Sequence, residues 1–458
     1  MANSVAQQSV LFPDLFSRPL TVAFDEPDTT SDGGTILLKA LDRSLGLTEQ
    51  LASCVHDSRQ PGKVRHDFQA LLQQRIYGLA CGYEDANDAA RLMRDPLLNL
   101  LVGHERPSES GLASQPTLSR FENSLTRIDL FRMGKALASL TFERHRQRLR
   151  SRKVRRVTID IDATEDPTHG AQQLTMFNGF YDGWCYLPLV GFVTFNDEAE
   201  QYLFAALLRP GTATKAGVLP LLRRAVAEIR CAFPGAVIRV RMDAGFAGPE
   251  VFDFLESERL EYLVAMAGNS VLEGLSKPVM QKARRAFAAE EKTVQVFGET
   301  RYAAKSWGTK VRRVIIKAEV VAHEGRTPLD NRRYVVTNLR LSPKRLYSEY
   351  VQRGDSENRI KELKEGVQID RTSCSSFLAN QFRVLLSAAT YVFFQELRLR
   401  AARTEHARAQ VPWLRLRLLK IAGKVVSSVR RRVLRLCAHH PWAEAWLAIA
   451  RSCGAQPA

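Results

Sequence analysis

Near residue 157 the hydrophobic rhythm of this chain changes period, and that change limits what it can fold into. From Thr35 to about Phe142, apolar residues recur three or four apart in KALDRSLGLTEQLASCV, DFQALLQQRIYGLACG and DANDAARLMRDPLLNLLV. That repeat is the mark of amphipathic helices. SQPTLSRFENSL opens another helix, with Ser114 or Thr117 to cap it, Pro116 in the first turn and Glu122 following. Then VTIDIDAT alternates. Val157, Ile159 and Ile161 fall on one face of a strand, and Thr158, Asp160 and Asp162 on the other.

Two more strand-like runs follow, GWCYLPLVGFVTF and QYLFAALL. After them helices and strands take turns: LPLLRRAVAEIRCAF, AVIRVRMDAGF, PEVFDFLESE, EYLVAMA. Such a succession predicts an α/β layer with a mixed sheet. The alternation breaks between about 269 and 332. A short polar helix (KPVMQKARRAFAAEE) leads there into the strand-like TVQVF, RYAAKSW and RRVIIKAEVVA, a β-rich insertion. RRYVVTNL returns as a strand, and helices run from Pro343 to about Arg400. The expected division is an irregular arm over 1–34, a helical N-terminal domain suited to DNA over 35–150, a catalytic core split into 151–268 and 333–400 by the insertion at 269–332, and a basic helical region over 401–458.

Charge narrows the partners. The 66 Lys and Arg outnumber the 49 Asp and Glu, for a net +17. A surface so basic attracts polyanions, nucleic acid first among them. Residues 144–156 hold eight Lys/Arg and no acid, and Arg398 to Arg451 hold thirteen with only Glu405 and Glu444 against them. Both stretches are expected to lie along phosphates. The seven cysteines show no CxxC spacing, so neither a zinc site nor a disulfide framework is expected. The N-terminus lacks a basic and an apolar signal region, and the longest apolar run, Val384 to Phe394, is too short to span a bilayer. These features predict a cytoplasmic protein with no membrane contact.

Asp162 and Asp243 both end strands, and ligands of α/β sheets gather at that edge. Asp160 shares Asp162's face and competes with it. In SEYVQRGDSENRIKELKEG, Tyr350, Arg353, Glu357 and Lys364 are spaced by three, four and seven. On one ideal helix they stay within about 60° of each other. Gly354 interrupts this stripe and marks a possible bend, at about 1 kcal/mol relative to Ala. A solvated face with a Glu357–Lys361 pair is the ordinary reading of such a stripe.

The spacing Y-x2-R-x3-E-x6-K resembles the signature around the last carboxylate of a large branch of bacterial insertion-sequence transposases of the DDE class. Asp162-Ala163-Thr164 resembles that branch's first D-x-T, and Asp243-Ala244-Gly245-Phe246 its D-x-G-F turn. The resemblance spans about 155–400. It implies an RNase H-like core with helices on both faces of the sheet. It also implies Asp162, Asp243 and Glu357 as catalytic ligands of two Mg²⁺ ions, which Mn²⁺ can replace. The D-x-T match favours Asp162 over Asp160. It further implies that Tyr350, Arg353 and Lys364 contact DNA, and it makes Trp307 a candidate to stack on a flipped base, with a buried β-core tryptophan as the ordinary alternative. The implied substrates are double-stranded terminal inverted repeats and target DNA, bound by a homodimer in the synaptic complex. The implied reaction is cut-and-paste movement through hairpin ends, in the bacterial cytoplasm at the nucleoid.

Overall fold

The computed structural model describes residues 10–104, 111–323 and 326–457. Residues 1–9 of the expected arm lie outside them. An eight-stranded sheet organises the chain. From one edge its strands are Tyr202–Leu207, Leu189–Phe195, Arg156–Ala163, Val237–Met242, Glu261–Met266, Arg326–Thr337, Arg312–His323 and Val294–Tyr302. The three middle strands Arg156–Ala163, Val237–Met242 and Glu261–Met266 run parallel to one another. The flanking pairs are antiparallel.

Both faces of the central part of this sheet are covered. Val157, Ile159 and Ile161 join a core with the helices Val218–Ala232 and Pro249–Ser257. On the next strand Val190 and Phe192 belong to a second core, which includes the N-terminal helices and the long helix Phe377–Arg400. That two-sided burial explains why Leu189–Phe195 is buried at every position. The helix Arg127–Arg148 starts at a capping box, in which Thr126 and Asp129 satisfy each other's backbone donors.

Several elements differ from the sequence expectation. The arm holds a small hairpin, Val10–Phe12 with Leu20–Val22, and then Thr29–Thr30 pairs with a C-terminal strand. The insertion is no separate β body, because its strands extend the central sheet through the pairing of Arg326–Thr337 with Glu261–Met266. The 332/333 boundary therefore falls inside a strand. The polar helix runs over Ser270–Glu290 and carries Pro278 in its interior, so that proline does not start it. The last region is not wholly helical. It contains a ribbon, Gly423–Ser427 with Arg432–Leu436, whose alternating valines and leucines suit strands.

The helix Phe377–Arg400 is long and apolar enough to cross a membrane by length and composition, contrary to the shorter run read from the sequence. It is instead packed inside the protein, and several of its polar residues are partnered. Gln395 donates to the Gln201 carbonyl at 2.7 Å, Arg398 meets Glu362, and Glu396 accepts from Arg144. Glu362 also accepts from Tyr391 at 2.8 Å and from the Val411 amide at 2.9 Å. This buried carboxylate fastens the helix Asp355–Val367, which carries Glu357, to the core.

Asp85 ties the N-terminal helices to the same region by bonding Arg371 and Arg383. Hydrogen bonds from Arg371, and further ones from Arg383, outweigh burial and hold its carboxyl down to about 2. A depressed folded value means the stabilisation is fully present above the unfolded value near 3.9 and is lost as pH falls through about 2. Asp85→Asn is expected to lower stability at neutral pH by about 1 kcal/mol, because water reaches these pairs and screens them. Urea titrations of both proteins should show that difference shrinking between roughly pH 4 and pH 2. A difference independent of pH would contradict the ion-pair account.

Candidate active site

Two aspartates on one strand face have unlike surroundings. Asp160 is fully buried, and both its oxygens are taken. Arg241, its register partner on the adjacent parallel strand, donates to each at 2.7 Å, and Gln201 donates to Oδ2 at 2.8 Å. Arg241 also reaches the Glu349 carbonyl at 2.9 Å, tying the sheet to the helix Pro343–Val351. Asp160 is therefore engaged in holding the sheet together, and it offers no free oxygen to a ligand.

Asp162 lies one pleat further, toward the carboxyl end of the strand. Burial pushes its carboxyl up to about 6; Arg353 opposes that, and the nearby charge of Asp243 adds to it. Arg353 donates to Oδ2, and Ser356 donates to the same oxygen at 3.3 Å. Asp243 follows the Val237–Met242 strand and caps a short turn by accepting from the Gly245 amide at 2.9 Å. Its carboxyl is raised by burial against the pull of Arg353, the turn amides and Arg209. Two neighbouring parallel strands thus bring both carboxylates to one edge of the sheet.

The Tyr-Arg-Glu-Lys stripe is not one continuous helix. Pro343–Val351 and Asp355–Val367 are separated by a single 3-10 turn, Gln352–Gly354, which confirms a break at the glycine. Arg353 sits on that turn, near Tyr350, whose ring centroid lies 5.8 Å from the guanidinium carbon. Burial works against the Arg353 charge, yet Asp162, Tyr350 and Asp243 hold it above its ordinary range. Its other nitrogen stands 3.8 Å from Glu357. Arg353 therefore lies between the buried Asp162 and Glu357, whose side chain is 71% exposed. Lys361 pairs with Glu365, so the expected Glu357–Lys361 pair is absent. Lys364 donates to the Glu165 carbonyl at 2.6 Å and stands 3.8 Å from Asp370. An open cavity of about 530 Å³ beside them is lined by Thr164, Glu357, Lys361 and Lys364.

The three expected ligands do not all stand around one point. Among the described residues no three acidic, histidine or cysteine side chains stand close enough to share one metal ion. Asp162 and Asp243 are together, while Glu357 is held apart with Arg353 between. The physical reason is like-charge repulsion at a buried site, relieved here by a guanidinium. Even so, the residues fit a hard divalent cation. The donors are all carboxylate oxygens. Asp162, buried, and Asp243, half-buried, carry charge that burial penalises and that a cation would stabilise.

Trp307 takes the buried-core alternative. It is buried, with Phe252 at 5.2 Å, Tyr302 at 5.5 Å and the Arg312 guanidinium carbon at 4.9 Å from its ring. It packs the core and presents no free face for a base. The eight cations of 144–156 are also partly engaged: Arg144 with Glu396, Arg146 with Glu143, Arg148 with Glu198 and Arg156 with Asp197.

Three residues near the carboxylates were not foreseen. Ser356 lies three residues beyond Arg353, in the first turn of the helix Asp355–Val367, and donates to Asp162. Tyr181 feels the charges of Glu165, Asp162 and Asp243. Arg209 is buried, bonded to the carbonyls of Leu187, Thr214 and Ala216, and left with one unpartnered nitrogen. Burial pushes its guanidinium down to about 10, and Asp243 opposes that. Arg209 also lines a mostly apolar cavity of about 680 Å³, which lies along the Tyr202–Leu207 edge strand. No sequence pattern announces these three, since their role depends on which loops the fold brings together.

In this mixed α/β protein two carboxylates thus stand at the ends of neighbouring parallel strands, with a third acid on a helix beyond a shared arginine. The transposase DDE domain group 1 family matches residues 12–453, and the chain belongs to that family. A comparison with curated proteins finds no match. Among solved structures, the fold is similar to the piggyBac transposase in its synaptic complex with hairpin DNA, at a TM-score of 0.38 and 9% identity. That alignment covers 80% of this chain and 75% of the other. The likeness is loose.

Proposed function

We propose that this transposase cleaves the ends of an insertion sequence in the bacterial cytoplasm and joins the freed 3′-hydroxyls to target DNA. One observation carries the reading. In a chain of the DDE family, Asp162 and Asp243 converge at the carboxyl edge of the parallel strands, and Arg353 links them to the Glu357 helix. In this reading the central sheet, three strands antiparallel and then two parallel, is the RNase H-like core.

Asp162, Asp243 and Glu357 are the residues that would hold two Mg²⁺ or Mn²⁺ ions, and Asp160 would not. Bound divalent cations activate an attacking hydroxyl and stabilise the departing oxygen of a phosphodiester. The chain's own part is to supply oxygen donors and to manage charge. Arg353 neutralises Asp162 in the absence of DNA. It then exchanges that carboxylate for a phosphate oxygen, which its planar fork suits. Its release removes the cation standing between Asp162 and Glu357. Tyr350, packed by Arg353, and Lys364, at the rim of the open cavity, contact the same strand. Two protomers hold the two terminal inverted repeats, and release proceeds through hairpin ends.

The test is a joining assay with labelled element-end duplexes, supercoiled target and Mg²⁺. Nicked ends, hairpin intermediates and joined products are the expected outcome. Cleavage without joining would make this a nuclease, and no cleavage would sink the reading. Accumulated linear ends with no hairpin would remove the hairpin step alone.

A further inference from the structure

The thirteen cations between Arg398 and Arg451 fall largely into two groups in the fold. One group is internal. Arg398 meets Glu200 and Glu362, Arg400 pairs with Glu396, and Lys420 with Asp32. Arg415 donates to the carbonyls of Ala80, Leu79 and Gly366. Arg417 lies over Trp413 and Trp442. These residues hold the C-terminal region to the helices.

The other group lies on the ribbon Gly423–Ser427 and Arg432–Leu436. Its base is anchored. Gly423 and Lys424 pair with Thr30 and Thr29, Val425 is buried, and Lys424 holds Glu26 at 2.6 Å. Its far end projects into solvent. Every residue from Val426 to Arg432 is exposed, and Val429 is fully so. The tip is nonetheless a formed turn. The Ser428 amide and hydroxyl both donate to the Arg431 carbonyl at 2.9 Å, and the Arg431 amide donates back to the hydroxyl at 3.2 Å.

Apart from the Lys424–Glu26 pair at the base, the charges of Arg430, Arg431 and Arg435 bring this ribbon no ion pair among the described residues. Lys424 stands directly opposite Arg435, and like charges at facing positions are destabilising. No acid occurs between Glu405 and Glu444. An exposed valine at the tip costs solvation too. A polyanion with a groove accounts for all of these at once.

Resting on the reading as a DNA transposase, we infer that this ribbon enters a groove of duplex DNA. Arg430, Arg431 and Arg435 take phosphates on either side, and Val429 meets the groove floor. A two-stranded ribbon fits the B-form major groove, about 12 Å wide. Beyond the buried Val425, two to three residues a strand and the turn project on the order of 10 Å, comparable to the groove's depth of about 8.5 Å. The internal group takes no part. Deleting 398–451 would therefore unfold the helices rather than report on DNA.

The experiment is a salt titration of duplex binding by fluorescence anisotropy, with wild type beside Arg430→Gln/Arg431→Gln/Arg435→Gln and Val429→Asp. A matching melting temperature for each variant shows that the fold is intact. Each lost phosphate contact should lower the slope of log affinity against log salt by about 0.9, up to about 2.7 for the triple variant. Val429→Asp should weaken binding at least tenfold. An unchanged slope and an unchanged Val429→Asp affinity would overturn the inference. An equal loss toward double-stranded RNA, whose deep, narrow major groove admits no ribbon, would also overturn it as a duplex-DNA groove contact. Salt-dependent DNA binding lost in the triple variant, from a wild type that never cleaves, would leave the ribbon standing and refute the catalytic reading. A wild type that binds no DNA would refute both.

Discussion

Asp162→Ala, Asp243→Ala and Glu357→Ala are each expected to reduce DNA cleavage on the order of 10³-fold or more, while duplex binding stays within a few-fold of wild type. The three substitutions should nonetheless affect the fold differently. Asp162 is buried and bonded by Arg353 and Ser356, so its removal leaves a buried guanidinium without its strongest partner. Glu357 is 71% exposed and contacts Arg353 only at 3.8 Å, so its removal should leave the melting temperature unchanged. Loss of cleavage in Glu357→Ala at full stability is thus the cleaner sign of chemistry. Retained cleavage in that variant would mean that the acid is an ordinary solvated residue.

Asp160→Ala should show the opposite pattern. The substitution strands Arg241 in the interior and also deprives Gln201 of its acceptor. Removing one member of a buried pair costs about 3–5 kcal/mol, because the other charge is left uncompensated. The variant should melt well below wild type and lose activity through misfolding. Asp160→Asn, which keeps the shape and one acceptor, should recover part of both. If Asp160→Ala were as stable as wild type but inactive, Asp160 would be the ligand and the assignment of the first carboxylate would move by two residues. Differential scanning fluorimetry with cleavage on the same samples separates these outcomes.

The two aspartates also show how much the sequence could say. Alternation in VTIDIDAT placed both on one face of a strand, and the strand is there. What it could not give is that Arg241, 81 residues on, lies in register beside Asp160 and claims it. Parallel pairing has no local signature, so the choice between them became physical only with the sheet assembled. The stripe from Tyr350 to Lys364 was legible as spacing, and Gly354 as a break. That Arg353 would turn inward onto Asp162 was not, because it depends on a tertiary approach between a helix linker and a strand end. Trp307 left two readings open in the sequence, a stacking surface or a core residue, and the packing of Phe252, Tyr302 and Arg312 around it is a matter of tertiary structure. In the C-terminal tail the excess of arginine was plain, but charge count cannot separate Arg398 and Arg415, which hold the core, from Arg430 and Arg431, which face solvent.

The central claim is that Asp162, Asp243 and Glu357 act together on DNA with divalent cations. The most direct measurement is cleavage of a labelled duplex carrying the element's end and its flank, by wild type and by Glu357→Gln at equal folded concentration, with Mg²⁺ or with chelator. The account predicts 3′-hydroxyl ends from wild type in Mg²⁺, and none from the variant or in chelator. Cleavage by Glu357→Gln at the wild-type rate, or cleavage that persists in chelator, would contradict it.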